Sequence, residues 1–309
     1  MSAAPPPSSF DPVRWFSHQP YLLLGLASLF WAGNIVLGRH VAGHVPPMTL
    51  SCIRWIGACL MLLPFAWPHL KRDWPVLRGR LPLMIALSAT GFAVNNALSY
   101  WGLQFTEALN ALLIQSSGPL FIALWALILF GVRLTWAQVA GIALSLLGVL
   151  TIILRGDFAA LTAIHFNIGD LMMTGALIAF GLYSALMLRR PVTHQLSLIC
   201  FTTACGALLL LPLSIWEFAN GVTLKFDAIT LITLVYVVIF PSTLAYLFFN
   251  RGIAAIGPNR AAPFFHLVPV FGSVMAIVLL GEQPQLFHLA GYLMVLAGVV
   301  IASRKAPTT

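Results

Sequence analysis

Apolar residues run along this chain in long continuous blocks, with none of the strict apolar–polar alternation of a half-buried strand. A helix needs about 20 apolar residues to cross a bilayer. Ten such blocks can be drawn: Tyr21–Leu37, Met48–Trp67, Leu81–Leu103, Ala108–Phe130, Trp136–Leu154, Gly169–Leu188, Leu196–Trp216, Ala228–Asn250, Arg260–Leu280 and Phe287–Ile301. Pro, Gly and charged residues mark the joins, as at Pro46-Pro47, Gly79-Arg80, Arg189-Arg190-Pro191 and Gly257-Pro258. The pattern predicts an all-α integral membrane protein with ten transmembrane helices. It argues against an outer-membrane barrel, whose strands alternate lipid-facing and lumen-facing residues.

The joins are short. The longest, around Asp157–Asn167 and Phe218–Asp227, are expected as interfacial turns, and neither is large enough for a catalytic domain. Residues 1–20 are rich in Pro and Ser and are expected to be disordered; no short cleavable signal precedes the first block.

Composition agrees. Of 309 residues, 60% are hydrophobic and 8% charged, and the mean hydropathy is +0.94. A soluble domain of this size carries about 25% charged residues. The net charge of +8 is therefore read as a topology signal rather than a nucleic-acid footprint. Cys52, Cys59, Cys200 and Cys205 all fall within apolar blocks and read as small buried hydrophobes. No metal-binding spacing is present, and no cofactor is expected.

The chain repeats itself. Shifted by 150 residues, Ala108–Val149 matches Pro258–Val299 at 11 of 42 positions, including Pro119/Pro269, Gly131/Gly281, Gly141/Gly291 and Gly148/Gly298. Chance in so apolar a composition gives roughly four. The same shift pairs Gly25/Gly175, Phe30/Phe180, Arg39/Arg189 and Gly102/Gly252. Two halves of five spans follow, and an odd number inverts the second. With the N-terminus placed in the cytoplasm, twelve Lys and Arg fall at inside ends and three at outside ends. That bias predicts cytoplasmic N- and C-termini. Inverted repeats with a site between them recur in secondary transporters.

Trp31-Ala32-Gly33-Asn34, then Pro46-Pro47, Arg54-Trp55 and the stretch from Gly91 to Gly156 resemble EamA-type permeases of the drug/metabolite transporter superfamily. The resemblance covers nearly the whole chain. It implies two inverted five-helix repeats, 21–156 and 157–305, between a cytoplasmic N-terminus and a cytoplasmic tail, 306–309. It also implies a multi-pass protein of the bacterial inner membrane that exports small metabolites. Within the family the chain looks closest to amino-acid exporters, including exporters of aromatic amino acids.

Polar groups within spans need partners, so they face a cavity or another helix. The 150-residue shift pairs Asn34 with Ser184, Asn96 with Tyr246, Tyr100 with Asn250 and Ser116 with His266. Such pairs either line a shared cavity or glue helices together. Ser88, Asn95 and Ser99 share one helical face, and Gln115 leads a polar run in the fourth span. Trp31, Trp101, Tyr183, Tyr246 and Phe265 are candidates to stack on ligand; lipid contact is the alternative.

His266 is read as the only His deep in a span, either titrating or neutral and hydrogen-bonded. Arg54 either binds a substrate carboxylate or snorkels to the outer interface. Pro119 and Pro269 interrupt equivalent spans, as hinges or as static bends. No Asp or Glu lies near the centre of a span, which argues against a central carboxylate relay.

The expected function is export of small organic metabolites, most of all amino acids, by alternating access around a central cavity. A multidrug, small-amine or nucleoside exporter is the alternative within the fold. An intramembrane enzyme is the alternative outside it, and no nucleophile elbow or metalloprotease motif supports that. The expected partners are a small-molecule substrate and the lipid bilayer, with no nucleic acid. The oligomeric state stays open, a monomer included.

Overall fold

The structure, a computed structural model, describes residues 19–131, 136–157, 167–256 and 262–302. The expected disordered N-terminus, all but its last two residues, and the C-terminal tail lie outside the described residues, as does most of the join around Asp157–Asn167.

The described residues are helical, with no strand among them. In chain order they form α1 (Pro20–His40), α2 (Pro47–Gly79), α3 (Leu81–Ser88) and α4 (Asn95–Gly102). Next come α5 (Ala108–Gln115), α6 (Gly118–Phe130), α7 (Trp136–Ile153), α8 (Ile168–Leu186) and α9 (Gln195–Ala219). The last are α10 (Ala228–Ile239), α11 (Ala245–Ile256), α12 (Leu267–Leu280) and α13 (Leu286–Ala302). Six continuous helical stretches are long and apolar enough to cross a membrane, and α5 with α6 makes a seventh, bent by 43°. Three further apolar helices, within α7, around α12 and within α13, are shorter. The bounds follow the apolar blocks closely, except that α2 runs 33 residues, or about 50 Å, and so outreaches the roughly 30 Å hydrocarbon layer.

Acidic residues near helix ends cap the ends of other helices. The first N–H groups of a helix have no intrahelical acceptor. Before α2 stands Pro46, which has no capping side chain, and Glu217 of α9 supplies the acceptor instead. Its carboxylate takes the N–H groups of Met48 at 2.9 Å and Thr49 at 2.8 Å. In return, Asp73 of α2 accepts from the His194 N–H at 2.7 Å and the Ser197 hydroxyl at 2.8 Å, at the start of α9. Glu282, just after α12, accepts from the N–H groups of Ala108 and Leu109 at the start of α5, each at 2.7 Å. Negative charge at a positive helix end is favourable. These contacts join residues far apart in sequence.

The repeated glycines mark where α7 and α13 cross. A Cβ on Gly148 would stand 2.6 Å from the Gly291 carbonyl oxygen, and one on Gly291 would stand 2.8 Å from that of Gly148. A Cβ on Gly298 would meet the Gly141 carbonyl oxygen, and between these glycines Ser145 donates to the Val295 carbonyl at 2.9 Å. Residues 145 and 295 are themselves 150 apart. Such close backbone approach is the usual way for helices to associate in lipid.

Gly291→Val should therefore force the crossing apart, at a cost of about 1–3 kcal/mol. We expect a melting temperature lower by several degrees and a poorer folded yield in detergent. Leu293→Val, on an exposed neighbour, should change neither. An unchanged melting temperature in Gly291→Val would contradict the crossing.

Candidate functional site

Two membrane helices are broken by a π turn at matching places. Ala89–Val94 separates α3 from α4, and Phe240–Leu244 separates α10 from α11. The two turns are 150 residues apart to within a residue. A π turn inserts an extra residue and loosens the i−4 ladder, and such turns are frequent at functional sites. Pro241, which has no N–H, contributes to the second.

Carbonyls loosened inside an apolar bundle need donors. Trp55 Nε1 and Asn96 Nδ2 both donate to the Phe92 carbonyl at 3.0 Å. Trp31 Nε1 donates to the Pro241 carbonyl at 3.1 Å. The hydroxyls of Ser242 and Thr243 turn back to the carbonyls of Val237 and Val238, at 2.6 and 2.8 Å.

Arg54 lies between the two turns. Its side chain is on α2 and the residue is only 4% exposed. Nε donates to the Ser242 hydroxyl, inside the second π turn. Nη1 donates to Asn96 Oδ1 and the Tyr100 hydroxyl, each at 3.0 Å, and to Asn34 Oδ1 at 3.3 Å. Tyr100 in turn donates to Asn34 Oδ1 at 2.5 Å. The guanidinium carbon lies 4.5 Å from the centre of the Trp55 ring. Every one of these partners is neutral. The ion pairs among the described residues are His44–Asp227 and Arg72–Asp73, and neither reaches Arg54. The snorkelling alternative is thus corrected. The side chain turns inward because oxygens from α1, α4 and the second π turn meet its nitrogens there.

Aromatic rings pack next to this cluster. Trp31 stacks on Phe265 at 5.1 Å and meets Phe249 edge-on at 5.2 Å and Tyr246 edge-on at 5.8 Å. Phe92 contacts Trp55 at 4.8 Å, Tyr183 at 5.7 Å and Tyr246 at 6.3 Å. The result is a buried cation at one edge of a continuous aromatic wall.

Comparison with known proteins gives this arrangement a family. The EamA-like transporter family matches residues 19–154 and 167–304. The chain belongs to that family. It is 29% identical over 288 residues to the uncharacterized transporter YyaM of Bacillus subtilis, covering 92% of this chain and 93% of that one. It is 29% identical to a probable terminal-alkyne amino-acid exporter of Streptantibioticus cattleyicolor, covering 95% and 91%. A probable amino-acid metabolite efflux pump of Salmonella typhimurium is 27% identical, covering 89% and 92%. A solved crystal structure superposes with a TM-score of 0.60 at 18% identity over 92% of this chain and 97% of that one, which speaks for the fold alone. An EamA-like chain with these apolar helices is a multi-pass membrane protein, and its family and relatives point to transporters.

Within this EamA-like bundle the residues singled out from sequence divide. Asn34, Asn96 and Tyr100 gather on Arg54, and Trp31, Tyr183, Tyr246 and Phe265 join the aromatic wall. The others stand apart. Asn95 reaches the Gly91 carbonyl of the preceding π turn at 3.5 Å, Ser184 that of Phe180 at 2.9 Å, and Ser116 that of Leu113 at 2.5 Å. Trp101 is exposed and Asn250 half-buried. Gln115 Oε1 is buried with no hydrogen-bond partner among the described residues.

His266 is half-buried and ends a short 3-10 turn, Ala262–His266, before α12. Another histidine among the described residues is more deeply buried. That is His288, 4% exposed, with Nε2 on Asn110 Oδ1 at 2.8 Å. Pro119 falls in the first turn of α6, just after the break from α5, and Pro269 in the first turn of α12, which continues directly from the 3-10 turn Ala262–His266. There a missing N–H costs no intrahelical bond.

Sequence reasoning missed Ser242, Trp55, Phe92 and Phe249. Trp55 was legible beside Arg54, since cation and ring are adjacent. Ser242 was not, because the 150-residue shift pairs it with the apolar Phe92.

Proposed function

We propose that this protein is a secondary transporter of the bacterial inner membrane that exports small organic metabolites, foremost amino acids including aromatic ones. It binds them at Arg54 and the adjoining aromatic wall, and opens that site alternately to either side. The observation that carries this reading is the buried Arg54 held by neutral groups alone. A buried cation without counter-charge is costly, and a ligand carboxylate supplies the missing charge. Guanidinium matches a carboxylate in a two-pronged geometry, and Nη2 carries two N–H groups beyond the bonds from Nε and Nη1. An apolar or aromatic side chain would then lie against Trp31, Tyr246 and Phe265. Two relatives with amino-acid export in their names support the same substrate class. An amine lacking a carboxylate would meet a like charge, which disfavours the small-amine alternative.

The proposed architecture is ten spans in two inverted halves with both termini cytoplasmic. Matching π turns, the glycine crossing of α7 and α13 and the twelve-to-three bias of Lys and Arg support it. The break before Pro119 and the 3-10 turn before Pro269 are the proposed hinges. Around Pro119 the backbone bonds shorten to i−3, from Ser116 to Leu113, Ser117 to Ile114 and Leu120 to Ser117. Such short turns separate two rigid pieces.

Counterflow in proteoliposomes tests the function. Vesicles loaded with unlabelled Phe, Met or Thr should take up the labelled amino acid faster than empty ones. Asn34→Ala, which removes an acceptor from the buried cation, should slow that exchange at least about tenfold. No exchange with any amino acid, in protein that remains monodisperse, overturns the amino-acid assignment. For the hinge, Pro119→Ala should slow exchange while leaving the folded yield intact, and an unaltered rate would remove the hinge.

A further inference from the structure

A groove far from Arg54 in sequence lies where the ends of two apolar helices meet. Its volume is about 400 Å³, and it opens between the α2–α3 join and the segment joining α8 to α9. Arg80, Arg189 and Arg190 line it together with Val76, Gly79 and Val192. The guanidinium groups come from segments 109 residues apart, one in each half of the chain. No carboxylate lines the groove. The acid nearest in sequence, Asp73, is already engaged by Arg72, the His194 N–H and the Ser197 hydroxyl. Arg189 is held over the Phe130 ring at 4.8 Å.

We propose that this groove binds the headgroup of an anionic phospholipid. Three like charges around one opening call for an anion. A positive-inside bias alone would scatter them over the helix ends, whereas here all three line one groove. The apolar surface beside them selects a lipid over a free anion. Val192 is 99% exposed and Leu188 73% exposed, flanking the arginine pair at the end of a membrane helix. An acyl chain covers such surface and inorganic phosphate does not. Exposed Trp67 and Trp74 on α2 fit the aromatic belt found at headgroup level. Basic pockets between membrane helices are a recognised form of headgroup site. A lipid seated here touches both halves of the chain, so it would tie them together at this end. The proposal does not depend on which metabolite is carried.

Native mass spectrometry of the full-length protein in detergent, titrated with phosphatidylglycerol or phosphatidylcholine, reads the site directly. Phosphatidylglycerol should stay bound under conditions that strip phosphatidylcholine. Each arginine removed should weaken it roughly fivefold, so Arg189→Gln with Arg190→Gln should cost roughly 25-fold and Arg80→Gln alone roughly fivefold. Arg78→Gln, exposed nearby but outside the groove, should leave binding unchanged. Equal retention of the two lipids overturns the proposal. So does an equal loss in Arg78→Gln, which would mean bulk charge, or displacement of the lipid by inorganic phosphate at matching concentration, which would mean a soluble anion site. The three groove arginines are exposed, so their variants should fold, and an unshifted melting temperature without lipid checks that.

Discussion

One full positive charge sits inside an apolar helix bundle, and the architecture around it is arranged to keep it there. An isolated ion in hydrocarbon is costly, so the guanidinium of Arg54 must be solvated by the protein. Four oxygens do this, from Asn34, Asn96, Tyr100 and Ser242. Helices alone would not bring them together. Asn96 follows one π turn and Ser242 sits inside the other. Two indole N–H groups hold the carbonyls of those turns. The cation, the loosened backbone and the two tryptophans form one interdependent unit. On the proposed reading, substrate enters this unit as the counter-charge that the protein leaves out.

The rest of the bundle holds that unit in register. Carboxylates at helix ends act in pairs across the fold, with Glu217 capping α2 and Asp73 capping the helix that carries Glu217. Glu217 is balanced by backbone N–H groups and the Thr49 hydroxyl, and Asp73 by the His194 N–H, the Ser197 hydroxyl and its neighbour Arg72. Negative charge is thus present at the membrane faces, and none of it is spent on Arg54. The close glycine crossing joins α7 to α13, with Ser145 on the Val295 carbonyl and Thr151 on Met294 Sδ as its side-chain polar contacts among the described residues. Polar satisfaction at the centre and small-residue packing at the edge are separate devices.

Much of the fold was legible because its determinants are local. Apolar run length located the helices, and Pro, Gly and Arg marked their ends. The 150-residue repeat picked out Gly141, Gly148, Gly291 and Gly298 before any contact was known, since close helix approach tolerates few other residues. The site was half legible. Asn34, Asn96 and Tyr100 could be found as polar groups in apolar runs, but their common partner was left between two readings. Arg54 lies only seven residues into α2, where snorkelling is normal, and nothing local says that oxygens from three other segments converge on it. The π turns were invisible for a similar reason. They depend on which carbonyls find tryptophan donors across the bundle, and periodicity does not encode that. The 150-residue shift pairs Ser184 and Asn250 with Asn34 and Tyr100, yet the bonds of Arg54 run to Asn34 and Tyr100, while Ser184 turns to the Phe180 carbonyl of its own helix.

The measurement that bears most directly on the role of Arg54 is competition in counterflow between an amino acid and its carboxamide. Phenylalanine and phenylalaninamide share the ring and the amine and differ in the carboxylate charge. If Arg54 supplies the anchor, phenylalaninamide should compete roughly 100-fold more weakly than phenylalanine, the scale expected when a buried charge loses its partner. Equal competition by the two would contradict the account, since the buried cation would then play no part in holding substrate.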